Sequence, residues 1–327
     1  MKPMNAVFSK IRISSGTASV LGLNRAKSTV NPETAYVLVG EKCTGGCLFC
    51  AQNNSVEKLS RVVWPEFDIE VFLSKVSEKS FPFKNVCIQV TKNKNSLKNA
   101  LELLKEIRKI VDNKVSISVS ADFIHNQELI NEFFQSGLSR LGIAIDCVSS
   151  DKYSIIKNGN YNEKLNFLLS VNSKYPGRIS THAIAGLGET AFEIMNFIDI
   201  MIKNKIETAL FAYTPVKNKN ANLLLRKSPE ILYYRLVQAC FYLMKKNIIK
   251  IENIEFDENE FFKKIKIPDN EKLRAILKGD FLKTTGCRNC NRPFYNEKVN
   301  SLWYNFPRSP YDEEIETQIQ MIENYFN

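Results

Sequence analysis

The stretch Glu41–Gln52, EKCTGGCLFCAQ, carries three cysteines, Cys43, Cys47 and Cys50, in the spacing C-x3-C-x2-C. The run before it, Ala35–Gly40 (AYVLVG), is apolar and β-branched and is expected to form a buried strand. A strand that ends in a short loop with three thiols can wrap one small object. Thiolates are the ligands of iron–sulfur clusters. Three of them on a four-iron cube leave one iron open to a substrate or cofactor, as in any catalytic metal centre with a free position. A structural zinc site wants four close ligands, usually from paired C-x2-C units, and no fourth Cys or His lies nearby in sequence.

Working outward, the pattern predicts five more strands: Val86–Thr91, Val115–Ala121, Leu141–Asp146, Ile179–Gly186 and Thr208–Tyr213. Helices are expected at Asp68–Ser77, Ser96–Val111, Gln127–Ser136, on both sides of Asn158–Asn162, at Thr190–Asn204 and at Pro229–Lys246. Strands alternating with helices imply parallel pairing through right-handed crossovers. The fold class is therefore α/β: a TIM-like (β/α) barrel, full or partial, of six to eight parallel strands. Ile249–Phe256 is a candidate seventh strand. A closed barrel takes about 250 residues, so the 327 residues imply extensions. The organisation expected is an N-terminal extension over 1–34, a barrel over 35–260 and a cysteine-bearing C-terminal extension over 261–327. Arg12–Leu23 (RISSGTASVLGL), rich in small residues, is expected to pack on the barrel or close it.

No apolar run approaches 18 residues and Met1–Thr17 carries no signal-peptide pattern, so a cytoplasmic protein without membrane association is expected. Eight cysteines beside two histidines suit a reduced compartment and cysteine-bound clusters. The formal net charge of +10 suits nucleic acid, a membrane surface or an acidic protein partner, and equally a plain solvated Lys-rich surface; no zinc-finger, RGG or RRM-like motif points to nucleic acid. In barrels of parallel strands chemistry sits at the carboxyl ends. That rule selects Asp146, the glycine turn GLGET at Gly186–Thr190, and Thr214–Pro215. Cys287 and Cys290, in TTGCRNCNRP at Thr284–Pro293, form a C-x2-C turn able to present two thiolates to one metal. Cys147 and Cys240 read as buried structural thiols.

The cysteine loop after a first strand resembles the radical S-adenosylmethionine (radical SAM) superfamily. The resemblance implies a [4Fe-4S] cluster on Cys43, Cys47 and Cys50 whose open iron chelates S-adenosylmethionine and releases a 5′-deoxyadenosyl radical. It places Phe49 near the adenine. AIAGLGET closely resembles biotin synthase, which implies that Ile184, Gly186 and Glu189 shape the adenosyl site and that Asp146 accepts the ribose hydroxyls. The family's Gly-Gly-Glu motif is absent; Gln89–Lys92 (QVTK) stands there, so Thr91 or Gln89 is expected to hold the methionyl amine. Cys87 matches one biotin synthase ligand of a sulfur-donating cluster, but the other two ligand positions fall near Ser118 and onto Ser180.

RISSGTASVLGL, CTGGCLFCAQ, AIAGLGET and the tail TGCRNCNRPFYNE together resemble the biotin-synthase-like archaeal proteins that act as two-component lipoyl synthases. This implies a second, auxiliary [4Fe-4S] cluster on Cys287 and Cys290, with Cys87 the first candidate for a further ligand and Cys147 the second. Ser309, in RSPY, resembles a serine ligand of bacterial lipoyl synthase. The implied activity is sulfur insertion into an octanoyl chain on a lipoyl domain or glycine-cleavage H protein. A second radical SAM subunit and an electron donor such as ferredoxin are the implied partners. Biotin synthase, another C–H sulfurating or rearranging enzyme, a non-catalytic cluster scaffold and, on charge alone, RNA modification are the competing readings.

Overall fold

The computed structural model describes residues 8–53, 58–59, 61–215, 225, 227–267, 277–295, 297 and 302–326. The first residues of the expected N-terminal extension, and 268–276 and 298–301 of the C-terminal one, lie outside the described residues. Twelve strands are described: β1 (Lys10–Ile13), β2 (Thr34–Val39), β3 (Lys58–Leu59), β4 (Val62–Val63), β5 (Glu66–Asp68), β6 (Asn85–Val90), β7 (Ser116–Ser120), β8 (Arg140–Gly142), β9 (Ile179–Ala185), β10 (Glu207–Ala212), β11 (Ile254–Phe256) and β12 (Phe262–Ile265). The central sheet has eight strands in the order β10-β9-β8-β7-β6-β2-β1-β5. Six consecutive members, β2 and β6 to β10, pair parallel. β1 runs antiparallel to both β2 and β5. The chain therefore has the expected partial-barrel α/β fold, with β10 and β5 as its two edges.

The helices are α1 (Ser15–Val20), α2 (Ile69–Ser77), α3 (Ser96–Ile110), α4 (Gln127–Gln135), α5 (Ser150–Lys157), α6 (Tyr161–Lys174), α7 (Ala191–Lys203), α8 (Ile231–Lys245) and α9 (Asp312–Ile322). All six residues of β2 are buried, because a parallel strand is covered on both faces. α3 buries Ala100, Leu101, Leu103, Leu104 and Ile107, the stripe its periodicity predicts. Asn158 ends α5 in the left-handed conformation, and Thr190 with Glu193 forms a capping box on α7.

Two expectations need correction. The fourth strand is only three residues long, and Asp146 meets the sheet through a single bridge to Ala183. Asp146 has φ 60°, so the chain has already turned out of the extended conformation there. The proposed seventh strand is not part of the barrel. β11 pairs antiparallel with β12 in a sheet of its own.

The C-terminal segment closes the amino ends of the strands. Thr34 Oγ1 donates to Asn289 O (2.8 Å) and Asn85 Nδ2 to Arg288 O (2.9 Å), both from first residues of strands. Leu210 N–H, on edge strand β10, donates to Thr285 Oγ1 (2.8 Å). Gly286 has φ 115°, and a Cβ there would lie 2.9 Å from Ala209 Cβ, so glycine is what permits the close approach. Arg235 on α8, fully buried, anchors the rest of the tail. Its guanidinium donates to Gln318 Oε1 on α9 (2.6 Å), to Tyr304 O (2.6 Å) and to Trp303 O. Arg235→Met removes a donor from each of these acceptors; Tyr304 O keeps Gln238 Nε2 (3.1 Å), whereas Gln318 Oε1 loses its bond to Arg235, at about 1–3 kcal/mol. The expected outcome is a lower urea midpoint and faster proteolytic cleavage between residues 302 and 326.

Candidate functional site

A cavity of about 690 Å³ opens at the carboxyl ends of the strands. Cys43, Cys47 and Cys50 line it together with Phe49, Thr91, Asp146 and Ile184. The thiols are free of disulfides. The loop that carries them is pinned to the sheet: Thr44 N and Oγ1 both donate to Lys92 O (2.9 Å each), and Thr91 Oγ1 donates to Glu41 O (2.8 Å). A Cβ on Gly40 would overlap Thr91 Oγ1, and one on Gly45 would stand 3.3 Å from Cys43 Sγ and 4.0 Å from Cys47 Sγ. Glycine at 45 thus keeps the space between the sulfurs clear.

The donor set fits a cluster. Burial pushes the Cys47 thiol up to about 11 and the Cys50 thiol up to about 12, so the protein alone does not hold these groups as thiolates. An iron cluster held by these thiols would supply the missing stabilisation. Among the described residues no three His, Cys, Asp or Glu side chains converge on a single-ion position.

A buried charge relay that the sequence did not reveal lies beside the loop. Lys157 Nζ donates to Asp122 Oδ2 (2.7 Å) and to Asp146 Oδ2 (2.7 Å), and sits 5.8 Å from the centre of the Phe49 ring. Burial opposes the charge on Lys157, but Asp146 and Asp122 outweigh it and hold the ammonium well above its ordinary value. Burial pushes the Asp146 carboxyl up, with Lys157 opposing. Lys164, which donates to Asp122 O, adds a second cation on the Asp122 side. Burial is outweighed at Asp122 by Lys157 and Lys164, which hold its carboxyl down, whereas burial holds Asp146 up, so Asp146 is the first of the two to take a proton. One of its oxygens is therefore committed to Lys157, which narrows the expected double acceptance from a ribose. No local feature of the YSIIKNG segment marks Lys157 as functional; tertiary packing alone brings it to the site.

The other expected adenosyl residues divide. Ile184 lines the cavity, whereas Gly186 and Glu189 are not among its lining residues. The Glu189 carboxylate accepts from Gly186 N–H (2.7 Å), Leu187 N–H (2.9 Å) and Tyr233 Oη–H (2.9 Å). Glu189 staples its own turn, and a Cβ on Gly186 would meet Pro229 at 2.7 Å. Both residues shape the wall from behind. Thr91 faces the cavity, but its hydroxyl proton is committed to the loop carbonyl.

Below this cavity, in the barrel interior, the structure gathers Cys87, Cys287 and Cys290. Cys87 and Cys290 share one buried apolar cluster with Tyr36, Leu38 and Trp64, and Cys287 packs against it. Cys87 and Cys287 line a small cavity of about 20 Å³ that also includes Ser118 and Ser180. Cys287, Cys290 and Ser309 line another of about 590 Å³. Cys87 thus stands on the inner side of the tail pair and Ser309 on the outer. Burial pushes the Cys287 thiol up to about 11, so this group is a neutral thiol unless a cation binds it. Cys147 is elsewhere, fully buried with its thiol directed to Ser149 O (3.7 Å), and Cys240 is buried in α8.

Arg292, two residues past the C-x2-C turn, separates the two thiol sets. Its Nε donates to Cys290 Sγ (3.1 Å), Nη2 lies 3.4 Å from His182 Nε2, and its guanidinium stacks 4.7 Å from the Phe211 ring centre. It lines the upper cavity and the small lower one. Burial, then Arg292, keep His182 neutral. Only adjacency to the cysteine pair hinted at Arg292 in the sequence.

Residues 37–201 match the family model described as the Radical SAM superfamily. No curated protein matches this chain. Among solved structures, Streptococcus suis SuiB bound to S-adenosylmethionine is similar at 13% identity and TM-score 0.50, over 66% of this chain and 48% of that one. SuiB alone is similar at 14% identity and TM-score 0.49, over 66% of this chain and 47% of that one. The chain spans about half the length of these structures, and the likeness is one of fold.

Proposed function

Because the chain belongs to the radical SAM superfamily, whose members use a [4Fe-4S] cluster and S-adenosylmethionine, we propose that it inserts sulfur into an octanoyl chain carried on a lipoyl domain or glycine-cleavage H protein. One observation supports this most: a second thiol set, Cys87, Cys287 and Cys290, lies inside the same barrel as Cys43, Cys47 and Cys50. A radical rearrangement needs no such set, whereas sulfur insertion needs a donor within reach of the substrate carbon.

When bound, the cluster and S-adenosylmethionine supply the radical that abstracts a hydrogen, and an auxiliary cluster supplies the sulfur. Cys43, Cys47 and Cys50 would hold the first, and Cys287 and Cys290, with Cys87, the second. Asp146 faces the cavity as a hydroxyl acceptor, and Lys157 fixes its orientation. Phe49 and Ile184 supply apolar wall. Arg292, against the Tyr295 ring, stands between the two thiol sets. No acid or base is needed to activate an inert methylene, and His182, held neutral, is given no proton-transfer role.

The basic surface suits an acidic carrier, a second subunit and an acidic electron donor such as ferredoxin. Reconstituted protein with a reductant, S-adenosylmethionine and an octanoyl-lysine peptide is expected to release 5′-deoxyadenosine and to add sulfur to the peptide, read by mass spectrometry. Turnover with dethiobiotin in its place would favour biotin synthase. No cleavage with either would favour a scaffold subunit.

A further inference from the structure

We infer that the acyl chain reaches the interior through the side of the open barrel, along a cavity between α1, β4 and the turn at Arg292–Tyr295, and not through the carboxyl-end mouth. This deepens, and rests on, the sulfur-insertion function proposed above. The cavity measures about 260 Å³ and its wall is mainly apolar. On one side α1 contributes only Ser15, Gly16 and Ser19, which leave the space open. Val62, Val63 and Phe294 supply the opposing apolar wall.

Three observations point to an acylated ligand. First, the inner end reaches Tyr36, Gln89 and Arg292, and Arg61, Val63, Gln89, Arg292 and Tyr295 also line the large upper cavity. Tyr36 Oη lies 3.4 Å from Cys290 Sγ, and Gln89 Nε2 donates to Cys87 Sγ (2.9 Å). A chain seated here ends where the upper cavity meets the tail thiols, which is where a carbon must stand to exchange hydrogen for sulfur. Second, Trp64 lines the cavity, is 2% exposed, and its indole N–H has no acceptor among the described residues. An acyl-lysine amide carbonyl is an acceptor of the right kind. Third, the charged lining residues are Lys27, Arg61 and Arg292, with no carboxylate, and Lys27 and Ala26 are exposed at the outer end. That charge suits the acidic carrier from which the chain would hang.

The test uses the reconstituted full chain and an octanoyl-lysine peptide with a diazirine on the acyl chain next to its amide. Photolysis followed by digestion and mass spectrometry is expected to label Trp64, Phe294 or the Ser15–Ser19 segment, and unlabelled octanoyl peptide should compete. Labelling confined to Phe49, Ile184 or Pro215, which line only the upper cavity, would overturn the side route and leave sulfur insertion standing. No calorimetric binding of the octanoyl peptide, with or without S-adenosylmethionine, would overturn both. Ala26→Trp, at an exposed position, is expected to weaken octanoyl-peptide binding about tenfold with S-adenosylmethionine binding unchanged. Unchanged peptide affinity in that variant also counts against the side route.

Discussion

Replacing Cys43, Cys47 and Cys50 together by alanine is expected to abolish reductive cleavage of S-adenosylmethionine, with 5′-deoxyadenosine falling to background. Iron and sulfide should drop by one cluster's worth while the tail set stays loaded. The fold should survive. The three thiols are only half-buried, and the loop is held by Thr44 and Thr91, not by the sulfurs. A cube needs all three corners held, because the remaining donors at the cavity, Asp122, Asp146 and His182, are tied to Lys157 or lie against Arg292. Chromatography on wild type and variant, at equal protein and reductant, gives the answer. Residual 5′-deoxyadenosine from the variant would place the reactive centre elsewhere.

Lys157→Met is expected to be the most destabilising single substitution at the site. The Lys157 side chain is 4% exposed and lies 2.7 Å from each of two carboxylates. Removing it strands buried negative charge, which typically costs about 3–5 kcal/mol. The pH dependence has a definite sign. Burial already pushes the Asp146 carboxyl up, and without Lys157 nothing of equal strength opposes it. A carboxyl whose folded pKa exceeds its unfolded one weakens the folded state above the folded pKa, and the cost fades as pH falls through that value. The deficit against wild type should therefore be larger at pH 8 than at pH 5. Urea midpoints at the two pH values measure it, and adding Asp146→Asn should restore part of the loss. A deficit that grows on acidification would contradict the charge arrangement.

Much of the barrel was legible because its signals are periodic. β2 is an unbroken buried run and α3 repeats its apolar stripe over fifteen residues. The cysteine loop was legible because its ligands are adjacent in sequence. What escaped was short or non-local. β1 and β5, KIRI and EFD, are too brief and too charged to announce themselves, and only pairing with each other and with β2 makes them strands. β11 was visible, but its antiparallel partner lies beyond a turn and takes it out of the barrel. At the site, Glu189 and Gly186 matched an expected motif yet turn away to hold their own loop. Lys157 and Arg292 gain their positions from residues up to 256 places away in sequence, so no local spacing marks them.

If one thiol set serves the radical and the other the sulfur, each must hold a cluster of its own within the one barrel. Mössbauer spectroscopy of the reconstituted wild type and of the Cys287→Ala/Cys290→Ala variant tests it most directly. The expected result is two four-iron clusters in the wild type and one in the variant, with 5′-deoxyadenosine still formed. A variant that keeps the full iron content of the wild type would contradict it.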